Sequence, residues 1–302
     1  MKIYANKNGK LVEVKPKAFK LERDIQRLFE ENLQTLMGLT LVRSEYTIKN
    51  KRIDTLAFDT QASSFIIIEY KRDKNISVVD QGFTYLSLML ENKADFVVAY
   101  NEQLNMSMKM AEVDWSQTRV AFVSPSFTDN QVQATNFKDI GIELWEVQQF
   151  DDGNVSVHQI KQSTSAASIK PITQQSTALQ KVTNEIKVYS EADHAANVGE
   201  EIYELYEKFR DAILNLTDGI EVSPQKYWVA LKKNGNVACI ELQKKKLKIY
   251  IAAKIGMLDD PKGIAKDVSK IGHYGTGDYE VQVTDDKDLE YIMSLVKQVA
   301  QT

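Results

Sequence analysis

Asp54 and the run Glu69-Tyr70-Lys71 stand at the ends of two apolar stretches, Arg52-Ile53-Asp54 and Phe65-Ile66-Ile67-Ile68-Glu69-Tyr70-Lys71, with fourteen residues between the two acids. Side chains alternate faces along a strand, so Glu69 and Lys71 share a face with Phe65 and Ile67, and Asp54 shares one with Leu56 and Phe58. If the two strands pair as a hairpin, the carboxylates approach each other. Two carboxylates at the end of an apolar strand are costly to remove from water alone. A hard divalent cation with oxygen ligands, Mg2+ or Mn2+, removes that cost. The chemistry expected is metal-assisted phosphodiester hydrolysis, with the ion held by Asp54, Glu69 and the backbone carbonyl of Tyr70. Lys71 would orient the attacking water or stabilise negative charge developing on the phosphate.

These strands need a scaffold, and the flanking sequence predicts one. Asn8-Gly9, between Ile3 and Leu11-Val12-Glu13-Val14, signals a hairpin over Lys2 to Lys15 with a type I′ turn. Leu21, Ile25, Leu28, Phe29, Leu33 and Leu36 lie at helical spacing from Lys20 to Met37, with Gly38 as a C-cap. Strands are expected near Leu41–Ile48, Arg52–Asp59 and Phe65–Arg72, then a helix from Ile76 to Leu90. Further strands are expected at Phe96–Tyr100, Val120–Val123 and Ile142–Val147. The order α-β-β-β-α-β is an α/β sandwich pattern. From Lys161 the texture turns polar and poor in large apolar groups, a linker composition. The expected division is a first domain over 1–160, a polar linker over 161–195 and a smaller α+β domain over 196–302. In that last domain Lys244-Lys245-Lys246 and Lys248 mark a turn and strand edge, and Gly272 to Asp278 reads as a loop whose glycines need unusual φ.

Asp54, Glu69, Tyr70 and Lys71 in this spacing resemble the motif of the PD-(D/E)XK, or restriction-endonuclease-like, nucleases. Ile53 stands where that family often has Pro, a position that supplies no ligand. Gln81 and Tyr85, four apart on one side of a helix, resemble the Gln-x-x-x-Tyr element of RecB-like members. Arg-Ile-Asp followed by Ile-Ile-Glu-Tyr-Lys-Arg is similar to proteins related to the NucS type. The segment Gly272 to Asp278 resembles a C-terminal domain of unknown function attached to such proteins. The resemblance covers roughly residues 20–150 and implies a restriction-endonuclease-like αβββαβ core. It also implies a Glu on the first helix. At ~100° per residue Glu22 lies roughly 50° from the centre of the apolar stripe and Glu30 about 130° away, so Glu22 is the expected partner. The candidate catalytic set is Glu22, Asp54, Glu69, Lys71 and Gln81. Candidate nucleic-acid contacts are Arg52, Arg72, Lys74 and Tyr85.

The function expected is a metal-dependent DNA nuclease in repair or restriction. The rival is a non-catalytic nucleic-acid-binding or protein-interaction scaffold on the same fold. DNA is the expected partner. A homodimer would supply two sites for two strands, and a protein partner could bind the C-terminal domain. Net charge is −4, which argues against coating nucleic acid by bulk charge. Residues 1–160 hold 19 of the 38 basic and 22 of the 42 acidic residues, so any nucleic-acid surface must be a local patch. One cysteine, Cys239, excludes an intramolecular disulfide, and with three histidines a zinc cluster is not expected. No apolar run reaches the ~18 residues of a membrane helix, and no secretory h-region is visible at the start. A cytoplasmic location is therefore expected. There is no Gly-x-Ser-x-Gly elbow and no Walker-type loop, so serine hydrolysis and NTP hydrolysis have no support.

Overall fold

The computed structural model describes residues 2–72, 77–163, 165–174, 176–233, 235–273 and 275–301. The chain forms two units, Met1–Val188 and Tyr189–Thr302.

The first unit opens with a hairpin of β1 (Ile3–Lys7) and β2 (Lys10–Val14). Asn8 and Gly9 at its tip have φ of 52° and 81°, the two positive values a type I′ turn demands. A short strand, β3 (Pro16–Lys17), follows. The helix expected over Lys20 to Met37 is two helices, α1 (Glu22–Glu31) and α2 (Leu33–Met37). Asn32 breaks them: it leaves helical φ/ψ, and its side-chain amide donates to Leu28 O at 2.9 Å, a local bond that competes with the helix ladder. Gly38, at φ 69°, ends α2 as a left-handed cap.

Next come β4 (Thr40–Ile48), β5 (Lys51–Asp59) and β6 (Ser64–Tyr70), a consecutive antiparallel set. α3 (Val78–Glu91) and α4 (Lys93–Leu104) lead to β7 (Arg119–Ser124), then α5 (Asp129–Thr135), β8 (Ile142–Phe150) and β9 (Val155–Ile160). β6, β7 and β8 run parallel, β9 is antiparallel to β8, and the main strand order is β3-β8-β7-β6-β5-β4. Every residue of β6 is buried, because both faces of the sheet are covered. Phe65 and Ile67 meet Leu86, Met89 and Phe96 of α3 and α4, while Ile66, Ile68 and Tyr70 belong with Ile25 and Phe29 of α1. This is the αβββαβ order read from the sequence.

Two expectations need correction. Phe96–Tyr100 is not a strand but lies inside α4, where Phe96, Val97, Ala99 and Tyr100 are buried; a short apolar run has no period of its own and fits either structure. Residues 161–188 do not form a free linker. They carry α6 (Lys170–Thr173) and α7 (Thr177–Glu185), and Ile169, Val182 and Ile186 are buried in the core shared with α3.

The second unit contains α8 (Glu191–Ala195), α9 (Glu200–Leu214), β10 (Glu221–Pro224), β11 (Val229–Lys232), β12 (Asn236–Gln243), β13 (Lys246–Ile251), β14 (Lys266–Asp267), β15 (Tyr279–Val283) and α10 (Leu289–Ala300). Its sheet, ordered β10-β11-β12-β13-β15-β14, is antiparallel throughout. α9 and α10 bury Leu205, Phe209, Ile213, Ile292 and Val296 with the sheet. Lys246 and Lys248 lie on β13, and Lys248 Nζ pairs with Glu280 at 3.1 Å. Gly277 has φ 113°, and a Cβ there would sit 1.9 Å from Ile251 O, so this position requires glycine. His273 stacks on Tyr250, and its ring nitrogens meet Ile271 O and Gly277 O at 2.8 and 2.9 Å. That histidine holds a turn.

Candidate active site

The site lies where β5 and β6 part. Their ladder runs from Asp59↔Ser64 to Thr55↔Ile68, and beyond it side chains replace backbone partners. Glu69 Oε1 accepts from the Asp54 backbone N–H at 3.3 Å, and Asp54 Oδ2 accepts from the Tyr70 N–H at 3.0 Å. Each acid is thus tied to the other's strand. Alternation puts both on the α3 face. There Gln81 Nε2 donates to Glu69 Oε2 at 3.0 Å and to Tyr85 Oη at 3.3 Å, and the Tyr85 hydroxyl donates to Arg52 O at 3.3 Å. α3 sits close enough for this because Gly82 follows Gln81: a Cβ there would come within 2.4 Å of Ile142 Cδ1. Lys71 Nζ stands 3.2 Å from Glu69 Oε2. The structure therefore gathers Asp54, Glu69, Lys71, Gln81 and Tyr85 around one point, with the Tyr70 carbonyl on the strand between Glu69 and Lys71.

Burial is the electrostatic theme. It pushes the Asp54 carboxyl up, against the Tyr70 N–H and the Lys71 ammonium, which pull it down. Burial also pushes Glu69 up, reinforced by the Asp54 charge and opposed by Lys71. The Tyr85 hydroxyl is raised by burial and then by Glu69, which keeps it a hydrogen-bond donor. A buried and a half-buried acid that both resist ionisation, compensated by one ammonium, are a donor set suited to a hard cation. Among the described residues no cluster of three or more His, Cys, Asp and Glu could hold a metal, so the side-chain ligands available are these two carboxylates.

The other expected residues lie at the margin. Glu22 reaches the end of β6 from the α1 face, where its Oε1 accepts from the Arg72 N–H at 3.0 Å. Its charge is felt at Asp54 as a small upward push. Arg72 Nη1 donates to Lys20 O at 2.8 Å. Arg52 is largely exposed and pairs with Glu45. Lys74 lies outside the described residues.

Sequence reasoning set Glu30 aside as facing away, and the structure corrects that. Glu30 accepts from the Thr55 hydroxyl and from Gln26 Nε2, because the last turn of α1 crosses β5. Gln26 was missed altogether. It is 7% exposed and donates to Asp54 O at 3.0 Å, fixing the strand end that presents the Asp54 side chain. A polar residue one place after Ile25 on an apolar stripe was the available signal.

A protein of Haemophilus influenzae described only as uncharacterized is 54% identical over 298 residues, 99% of each chain. The chain belongs to that protein's family. Residues 21–161 match the Endonuclease NucS C-terminal domain, and residues 191–299 match a domain of unknown function (DUF5655). The first unit, with its mixed parallel and antiparallel sheet, carries the match to the Endonuclease NucS C-terminal domain. Two solved structures are similar in part. The EndoMS–dsDNA2 complex is 16% identical with a TM-score of 0.29, covering 43% of this chain and 47% of that one. A repair endonuclease from Pyrococcus abyssi is 19% identical with a TM-score of 0.25, covering 42% and 47%. The chain spans just under half the length of each. Among the described residues no helix is long and apolar enough to cross a membrane.

Proposed function

We propose that this protein is a divalent-metal-dependent DNA nuclease acting in DNA repair or restriction. The observation that carries the reading is the pair of carboxylates, buried Glu69 and half-buried Asp54, cross-tied through backbone N–H groups with Lys71 on Glu69. The match of residues 21–161 to an endonuclease domain supports it. Asp54, Glu69 and the Tyr70 carbonyl would hold Mg2+ or Mn2+, which when bound polarises a phosphate and acidifies water.

The chain's own residues supply the rest. Lys71, only 15% exposed, offers a poorly hydrated ammonium to the phosphate, where its charge is worth more than in bulk water. Gln81 holds Glu69 Oε2 in place, Tyr85 orients Gln81, and Gln26 fixes the Asp54 backbone. These three are positioning residues.

The test is incubation with linear, circular, single-stranded and branched DNA, with Mg2+, Mn2+ or chelator, using wild type, Asp54→Ala and Lys71→Ala. Metal-dependent cleavage lost in both variants is expected. Cleavage that survives both would overturn the site. Salt-sensitive binding without cleavage on any substrate would mark a non-catalytic DNA-binding protein instead.

A further inference from the structure

The β1–β2 hairpin is a two-stranded sheet of its own, paired with no other strand among the described residues. It carries most of its side chains in water: Tyr4, Leu11 and Val12 are 47%, 68% and 45% exposed, and every residue from Asn6 to Glu13 is exposed. Together with the residues that flank it, its charge is opposite to that of the molecule. Residues 2–20 contain six lysines and one acid, Glu13, hence +5 within a chain of net −4. Among the described residues no carboxylate pairs with Lys7, Lys10, Lys15 or Lys17. At the tip Lys7 and Lys10 stand directly opposite each other in the register, a like-charge cross-strand pair that destabilises an isolated hairpin.

The base of this ribbon is fixed to the sheet. Val14 is buried, the Lys15 and Asp151 backbones bond at 3.0 Å, and β3 pairs with β8. The register then locates it. Tyr70 lies in one row with Val123 and Trp145, and Lys17 pairs with Gln149, four residues further along β8. Three strand spacings of ~4.8 Å, from β6 through β7 and β8 to β3, and four rises of ~3.3 Å put Lys17, just past the ribbon's base, roughly 20 Å from Tyr70, at the same end of the sheet. That separation is about six base-pair steps of duplex at 3.4 Å each. From there the chain passes through buried Phe19 to Lys20, whose carbonyl holds Arg72.

We infer that the β1–β2 ribbon is a duplex-DNA arm, with Lys7 and Lys10 at its tip placed on backbone phosphates. The inference rests on the nuclease reading and specifies its substrate as double-stranded. A two-stranded ribbon fits the ~12 Å width of the major groove. Phosphates relieve the Lys7/Lys10 repulsion that no carboxylate among the described residues relieves. A second copy of the chain is the less suitable occupant, because two such ribbons would repel.

The test is equilibrium binding of a blunt DNA duplex to full-length protein in chelator, between 50 and 200 mM salt, for wild type, K7Q/K10Q and K7E/K10E. Each lost phosphate contact lowers the salt slope by about 0.9, so the glutamine pair should lose a slope of roughly 2 and the glutamate pair should bind at least tenfold more weakly. Cleavage at saturating duplex and metal should be retained. Equal slopes for wild type and K7Q/K10Q, with cleavage intact, would overturn the arm and leave the nuclease reading standing. Wild type that neither binds nor cuts any DNA overturns both. A variant that changes only oligomeric state, by light scattering, overturns the arm in favour of self-association.

Discussion

Asp54 and Glu69 each take a hydrogen bond from the other's strand: Glu69 Oε1 from the Asp54 N–H and Asp54 Oδ2 from the Tyr70 N–H. The two acids thereby take the place of the next ladder rung, and their position is set by backbone rather than by flexible side-chain partners.

This arrangement has a pH signature. Burial raises both native carboxyls above their ordinary values, so the folded protein binds more protons than the unfolded one. Stability in chelator should therefore fall as pH rises, starting near the ordinary carboxylate value of about 4 and levelling off above the raised native values. Mg2+ or Mn2+ should reverse the loss at neutral pH, by about 2.7 kcal/mol at a hundredfold excess over Kd. Thermal melts from pH 4 to 8, with and without metal, test this. Asp54→Asn should flatten the profile; an unchanged slope in that variant would remove Asp54 from the effect.

Lys71 is the next test. Its ammonium is the only basic side chain paired with either acid among the described residues. Lys71→Ala should lower turnover by a factor on the order of 10²–10³, the loss typical of one preorganised charge-stabilising donor. Duplex affinity in chelator should change little. Single-turnover cleavage and equilibrium binding on the same variant separate the two effects, and a loss confined to binding would reassign Lys71.

Gln81 and Tyr85 predict a graded series. Tyr85→Phe removes a hydroxyl that spans Arg52 O and Gln81. It should cost about 1–2 kcal/mol of stability by leaving a partner unsatisfied and lower turnover less than Gln81→Ala, which frees Glu69 directly. The reverse order would show that Tyr85 touches substrate.

What was legible in the sequence is what has a period. The alternation in β5 and the unbroken apolar run of β6 placed Asp54, Glu69 and Lys71 without ambiguity of face. Gln81 and Tyr85 were visible through one helical turn. Glu30 was misjudged because its angle was taken from the apolar stripe of a long helix, whereas α1 ends at Glu31 and its last turn overlies Thr55. Phe96–Tyr100 was misread because a buried helix and a buried strand look alike over five residues. The fate of residues 161–188 was hidden because three apolar side chains, spread over eighteen positions, suffice to dock them.

Arg119 offers a stability test remote from the site. Its Nη2 lies 2.9 Å from Asp59 Oδ2 and its Nε 2.7 Å from Glu143 Oε1, with Asp59 9% exposed in its side chain. Arg119→Ala takes from the buried Asp59 carboxylate the guanidinium that faces it, a loss of about 3 kcal/mol. Denaturant midpoints should show it, while cleavage below the melting temperature should be unchanged. A fall in cleavage at full folding would mean that the sheet transmits the change to Glu69.

The segment after β9 gives the sharpest test of where the catalytic unit ends. Ile169, Val182 and Ile186 are 4%, 2% and 3% exposed and share a core with Leu86 of α3, the helix that carries Gln81 and Tyr85. At ~1.5–3 kcal/mol for each buried aliphatic side chain, their loss is comparable to the whole stability of an ordinary domain, about 5–15 kcal/mol. A chain of residues 1–188 should fold and keep whatever cleavage the first unit supports. A chain of residues 1–160 should unfold at a much lower denaturant concentration and lose cleavage with it. In the full-length protein V182D/I186D should reproduce the defect with the second unit intact, which separates loss of this packing from loss of the second unit. Equal midpoints for residues 1–160 and 1–188 would show that α7 contributes nothing to the seat of α3, and the position of Gln81 would then have to be explained by Gly82 against Ile142 alone.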